Sequence, residues 1–145
     1  MPTRRTRVDE IMTRNLFTVS IEDTVHTADE IIRSEKVRHV PVLEGKKFVG
    51  LITERSIMEY TLRRLYDFED NMGELARNRI IDFESVMTKK NRVIFPEDSV
   101  QKAIELMLKE KTDCLPVVDW DHNLVGILTS IDILLFINKK ILDGD

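Results

Sequence analysis

The apolar positions of this chain fall into short runs whose spacing alternates between helix-like and strand-like, and the order of runs is the same in both halves. Between Thr24 and Glu35, Val25, Ala28, Ile31 and Ile32 recur at the three- and four-residue steps of one helix face. Asp23 or Thr24 supplies the N-cap, since a short side-chain oxygen there accepts a hydrogen bond from an otherwise unpaired amide. A short strand is expected before this helix, around Phe17–Val19. After it, Val40–Leu43 and Phe48–Ile52 read as two strands joined by the polar turn Glu44-Gly45-Lys46-Lys47. A closing helix is expected to start at Thr53. In the second half the short strand holds Val93-Ile94, and Asp98 or Ser99 is the cap. Val100, Ala103, Ile104 and Met107 form the helical stripe, Leu115–Val118 and Leu124–Leu128 the strands, and Thr129 starts the last helix. Each half therefore reads β-α-β-β-α, an α/β plan of the α+β kind.

Residue identities show that the halves are copies. Ile11-Met12-Thr13 returns as Val86-Met87-Thr88, with Met12 and Met87 standing 75 residues apart. At the same offset Glu22-Asp23-Thr24-Val25 matches Glu97-Asp98-Ser99-Val100, and Pro41-Val42 matches Pro116-Val117. Past that point the offset is 76, so that Val49-Gly50 matches Val125-Gly126 and Thr53 matches Thr129. The extra residue falls among the turn formers Asp119, Asp121 and Asn123, where a length change is tolerated. A duplicated unit of this size is expected to bury its apolar face against its twin. The first repeat spans residues 8–66 and the second 83–140. Residues 67–82 connect them and are expected to be helical, because Gly and Pro are nearly absent there. That insert is either packing material or a contact surface.

The chain has 145 residues, a net charge of −4 and 42% apolar residues, which fits a folded protein. Basic and acidic residues are mixed, apart from Arg4, Arg5 and Arg7, so a nucleic-acid partner is not expected. One cysteine, Cys114, cannot form an internal disulfide and points to a reducing, cytoplasmic setting. No run is long and apolar enough to cross a membrane, and no apolar stretch follows the N-terminal arginines as in a signal peptide. His26, His39 and His122 are scattered, so no metal site is expected. No nucleophile–base pair and no glycine-rich phosphate loop is present, so no catalytic residue is assigned. Trp120, in a turn, is either an exposed contact residue or a cover for the sheet edge.

The ordered set Ile11-Met12-Thr13, Val40-Pro41-Val42 and Gly50-Leu51-Ile52-Thr53 occurs twice. Its second appearance is Val86-Met87-Thr88, Leu115-Pro116-Val117 and Gly126-Ile127-Leu128-Thr129-Ser130-Ile131-Asp132. This set resembles the CBS domain family, named after cystathionine β-synthase, in the tandem form known as a Bateman module. The resemblance implies two repeats packed through their sheets with pseudo-two-fold symmetry and two related clefts between them. It also implies an adenosyl ligand (AMP, ADP, ATP or S-adenosylmethionine), no required cofactor, a homodimer and a regulated partner protein. Apolar residues on the closing helices, namely Ile57, Met58, Ile133, Leu134, Leu135 and Phe136, are expected to serve the dimer.

The residues themselves support a nucleotide site in the second copy. Thr129 and Ser130 stand at a helix start, where free amides and partial positive charge favour phosphate. Asp132 lies one turn on, and its carboxylate is suited to both ribose hydroxyls, the role the family gives this position. Cys114, Leu115 and Pro116 would wall the adenine, and the resemblance implies a second wall at Val93 and Ile94. The alternative is that Thr129 is only a cap and Asp132 only a solvated helix residue. In the first copy Thr53 is kept but Ser56 takes the place of the acid, and Glu54 opposes phosphate. Arg38, His39 and Arg55 are candidates to compensate, beside Val40 and Pro41. This first site is expected to be the weaker one. The rival function is a structural interaction module whose clefts are empty.

Overall fold

A computed structural model of the chain describes residues 5–70, 86–88 and 92–144. The fold is α/β, built from two β-α-β-β-α-like repeats, and packing divides it into two compact units. The first unit is Phe17–Lys90, and the second joins Met1–Leu16 to Asn91–Asp145.

In the first unit, β1 (Val19–Ser20) runs parallel to β2 (His39–Glu44), which pairs antiparallel with β3 (Lys47–Thr53). Helix α1 (Val25–Glu35) starts at Thr24, whose hydroxyl accepts from the Thr27 amide. Asp23, the other candidate cap, instead accepts from the Ser20 amide and closes the turn before it. The helix ends at Lys36 in the left-handed region (φ 55°). Helix α2 (Glu54–Asp70) carries on past Met58, as its apolar spacing suggests. The expected helix over the remainder of the connection lies outside the described residues. The core holds Val25, Ala28 and Ile32 from α1, Val40, Val42 and Ile52 from the sheet, and Val86 and Met87. Phe17, placed by its apolar character in the first strand, is exposed, and the strand begins at Val19. Val19 is the residue that faces the core.

The second unit repeats this frame. Strands β4 (Cys114–Val118) and β5 (Leu124–Thr129) pair antiparallel, and Ile94 bridges Val117 in parallel, as Val19 does Val42. Helix α3 (Val100–Glu110) is capped by Ser99, and helix α4 (Ser130–Leu142) by Thr129. Lys111 ends α3 at φ 54°, matching Lys36. The hairpin turns also correspond, with Gly45 at φ 64° and His122 at φ 66° supplying the positive-φ residue. Trp120 stacks on Phe95 with ring centroids 4.3 Å apart, yet stays 79% exposed, so it both covers and projects.

Each unit is completed by a segment from the other sequence copy. Arg7 bridges Ser99, Val8 N–H bonds the Asp98 carbonyl at 2.8 Å, and Val100 N–H bonds that of Thr6 at 2.9 Å. Val8 and Met12 sit in the second unit's core with Ile94, Met107, Leu115 and Leu128. Thr13 pairs with Ile127 through two backbone bonds, of 2.8 and 2.9 Å. In the first unit Thr88 makes the same pair with Leu51.

The glycines mark how close these segments lie. A Cβ on Gly126 would stand 2.7 Å from Met12 Sδ and 3.1 Å from the Thr13 carbonyl. On Gly50 it would stand 2.8 Å from Met87 Sδ and 3.0 Å from the Thr88 carbonyl. The Gly in each Val-Gly pair is therefore a backbone crossing point, not a turn.

The closing helices differ from expectation at two residues, and Ile57 is one: it is half-buried and packs against the first unit's core. Ile133, expected with its neighbours to meet a partner, is instead part of the second unit's core. Ile131, Leu134 and Leu135 on the same helix, α4, are exposed.

Candidate functional site

The start of α4 is organised around Asp132. Its Oδ2 accepts from the Thr129 amide at 2.9 Å and from the Thr129 hydroxyl at 3.2 Å. In return the Asp132 amide donates to Thr129 Oγ1 at 3.2 Å, which closes a reciprocal capping box. The other oxygen, Oδ1, accepts from the Thr13 hydroxyl at 2.9 Å. The Ser130 amide is held by the Asp113 carbonyl at 2.9 Å. Two of the donors that a phosphate would use at this helix start are thus already engaged. Asp132 is neither a freely solvated residue nor a bare acid waiting for a ribose: it is half-buried and holds three protein donors.

The start of α2 has the same frame with weaker groups. The Glu54 amide reaches the Arg38 carbonyl at 3.3 Å, as Ser130 does Asp113. Ser56 takes the place of Asp132: its amide donates to Thr53 Oγ1 and its oxygen accepts from the Thr53 amide, both at 2.9 Å. Its single proton goes to the Thr53 carbonyl, also at 2.9 Å. Ser56 therefore caps as well as the acid does but brings no charge.

The remaining expected site residues separate by burial. Ile94, Leu115, Pro116, Val40 and Pro41 are fully buried, and Cys114 nearly so. Their place in the sheet core is sufficient reason for their apolar character. The Pro116 carbonyl accepts from the Ile94 amide, and the Cys114 carbonyl from the Thr112 hydroxyl, so these backbone groups serve the fold. Burial pushes the Cys114 thiol well above its usual range, helped by the Asp113 and Asp132 carboxylates, and leaves it an inert core residue. Val93 is half-buried, His39 likewise, and Arg38 is exposed. Arg55 is spent in an exposed ion pair with Glu59 at 3.1 Å, a contact of small energetic weight.

Sequence reasoning misses two features. Thr13 stands out in the sequence only as a marker of the repeat, yet its hydroxyl lies on the acid of the second copy. An open cleft of about 690 Å³ also runs along α4 from Asp132, past Phe136, to Lys139 and Lys140, with Glu10 and Ile11 opposite. The spacing of Asp132, Phe136 and Lys139 along one helix face is the signal that could have found it. Among the described residues no group of three His, Cys, Asp or Glu gathers to hold a metal. No described helix is long and apolar enough to cross a membrane.

The family model for the CBS domain matches residues 8–63 and again residues 83–139. The chain belongs to the CBS domain family. It is a tandem CBS pair, and its relatives extend the same reading. Inosine-5'-monophosphate dehydrogenase of Korarchaeum cryptofilum is 30% identical over 127 residues, which cover 88% of this chain and 23% of the enzyme. The CBS pair thus spans under a quarter of that relative's length. Among solved structures, the CBS domain pair of protein MJ0100, in complex with 5'-methylthioadenosine and S-adenosyl-L-methionine, is 26% identical with a TM-score of 0.74. It covers 94% of this chain, and this chain 98% of it. CBSX2 in complex with AMP is 25% identical with a TM-score of 0.76, the shares being 92% and 97%.

Proposed function

We propose that this CBS pair is a regulatory sensor module that binds an adenosyl ligand at the start of α4 and controls a partner protein, with no catalytic step of its own. The observation that carries the reading is the half-buried, fixed carboxylate of Asp132 beside a capped helix start. Two CBS pairs of similar fold hold AMP or S-adenosyl-L-methionine with 5'-methylthioadenosine, which supports the ligand class. For a phosphate-bearing ligand, the donors left at the helix start are the Ile131 amide and the Ser130 hydroxyl. Thermal melts with AMP, ADP, ATP and S-adenosylmethionine test the proposal. A ligand at 100 times its Kd stabilises the fold by about 2.7 kcal/mol. No shift with any of the four would favour the structural interaction module instead.

The two helix starts are expected to differ in strength. Ser56→Asp adds the missing carboxylate where Ser56 now spends its proton on a backbone carbonyl. Titration calorimetry should show one strong site per chain in the natural protein and a stronger second site in the variant. The gain should not exceed about 1.5–3 kcal/mol, and Glu54 reduces it by repelling phosphate. Two equal tight sites in the natural protein would show this ranking to be incorrect.

A homodimer belongs to the same proposal. Leu134 and Leu135 on α4 and Met58 on α2 are exposed large apolar side chains, a costly surface to leave in water. Light scattering at micromolar concentration should give twice the chain mass, and a monomer there would remove the dimer from the proposal.

A further inference from the structure

We propose that the stacked pair Phe95 and Trp120 is a docking point for an arginine side chain of a partner protein. The pair lies in the second unit, at the end of the β4–β5 sheet away from the start of α4. The hairpin turn after Val118 carries Trp120, while Cys114 pairs with Thr129 at the other end. The five-residue strand between holds the two ends roughly 17 Å apart, so this surface is separate from Asp132. The rings lie within 14° of parallel, so Phe95 occupies one face of the indole, yet Trp120 remains 79% exposed.

The fold does not need this pair. In the first unit Ser20 stands where Phe95 does, in the same local frame. The Ser20 amide donates to Asp23 Oδ2 at 2.8 Å, and the Phe95 amide to Asp98 Oδ2 at 3.0 Å. The first hairpin turn, Glu44-Gly45-Lys46-Lys47, holds no aromatic residue. A large apolar surface that one copy adds to a frame the other builds without it points to recognition. The charge around the pair selects the occupant. The first turn carries two lysines, whereas the second carries Asp119 and Asp121, and no Lys or Arg occurs between Lys111 and Lys139. Glu97, two residues after Phe95, is exposed like Asp121. Asp98 is paired with Lys102 at 3.1 Å, so Glu97, Asp119 and Asp121 set the local sign. An indole face attracts a cation, and a guanidinium both stacks flat on the ring and hydrogen-bonds a carboxylate beside it. A lysine ammonium has no plane to stack, which favours arginine.

Trp120 is the single tryptophan, so its fluorescence reports on this patch. Titration with acetyl-Gly-Arg-Gly-amide should give a saturable change. The same peptide with citrulline, similar in shape but uncharged, should bind roughly two- to thirtyfold more weakly. Added salt should weaken the arginine peptide alone. Asp121→Lys lies on the exposed turn and keeps Trp120, so the fold should survive while arginine affinity falls about threefold or more. Phe95→Ser copies Ser20 of the first unit and should also weaken binding, by freeing the indole from its stack. Equal binding of the two peptides, or no change with either, would overturn the assignment. Natural affinity in folded Asp121→Lys would do the same. So would a fluorescence shift that follows protein concentration alone, which marks the patch as a contact between copies of this chain. None of these measurements uses a nucleotide, so their failure leaves the adenosyl site untouched.

Discussion

Val8→Asp is expected to unfold the second unit at neutral pH. Val8 is 0% exposed and packs with Met12, Ile94 and Leu115, and its backbone is fixed by the bond to Asp98. Its neighbours are apolar and no described polar or charged residue is buried, so the new carboxylate would have no buried partner among the described residues. An unpaired buried charge costs at least about 3 kcal/mol, against a total stability of about 5–15 kcal/mol for a typical domain. Trp120, the single tryptophan, lies in this unit and stacks on Phe95. Its fluorescence under urea denaturation therefore reports the effect. A midpoint unchanged from the natural protein would show that the N-terminal segment is not a true part of the unit.

Asp132→Ala should act twice. Removing the carboxylate strands the Thr129 amide and the Thr13 hydroxyl, which should lower stability by about 0.5–2 kcal/mol, the range for a lost cap. Affinity for AMP should fall roughly ten- to hundredfold, or about 1.5–3 kcal/mol, because the lost acceptor is charged. Asp132→Asn separates the two effects. Its amide oxygen can still accept from the Thr129 amide, but its NH₂ cannot accept from Thr13 or a ribose. The melting temperature should recover while most of the affinity loss stays. Calorimetry giving a natural Kd for a folded Asp132→Ala would show that the residue is only a cap.

The elements and their order are legible in the sequence because helix and strand periodicity comes with matching caps. Thr24, Ser99 and Thr129 all cap where a short hydroxyl precedes an apolar stripe. The matched positions of Gly50 and Gly126 are visible too, but not their reason, which is the methionine lying on each of them. What the sequence hides is which copy each segment joins. Ile11-Met12-Thr13 belongs to the first copy along the chain but joins the second unit, and periodicity carries no information about which apolar face a segment meets. The role of Thr13 is hidden for the same reason, since its partner is 119 residues away. Asp132 stands out as an acid at a helix start, but the donors it already holds do not, so sequence overstates its free acceptor positions. Ile94, Leu115 and Pro116 stand next to candidate polar groups in the sequence, and strand alternation does not tell a cleft wall from a core.

The long reach between Thr13 and Asp132 also orders events during synthesis. The segment holding Val8 and Met12 leaves the ribosome well before its docking surface, which is assembled from Ile94, Met107, Leu115 and Leu128. At elongation rates of about 5–20 residues per second, the 119 residues between Thr13 and Asp132 take about 6–24 s to make. Residues from Phe17 to Thr53 can form the first sheet within that interval, because its strands are close in sequence. Throughout it, Val8 and Met12 remain without their partners, exposed to whatever else binds an apolar nascent chain. A segment made before the rest of its unit is therefore among the last parts of that unit to find its place.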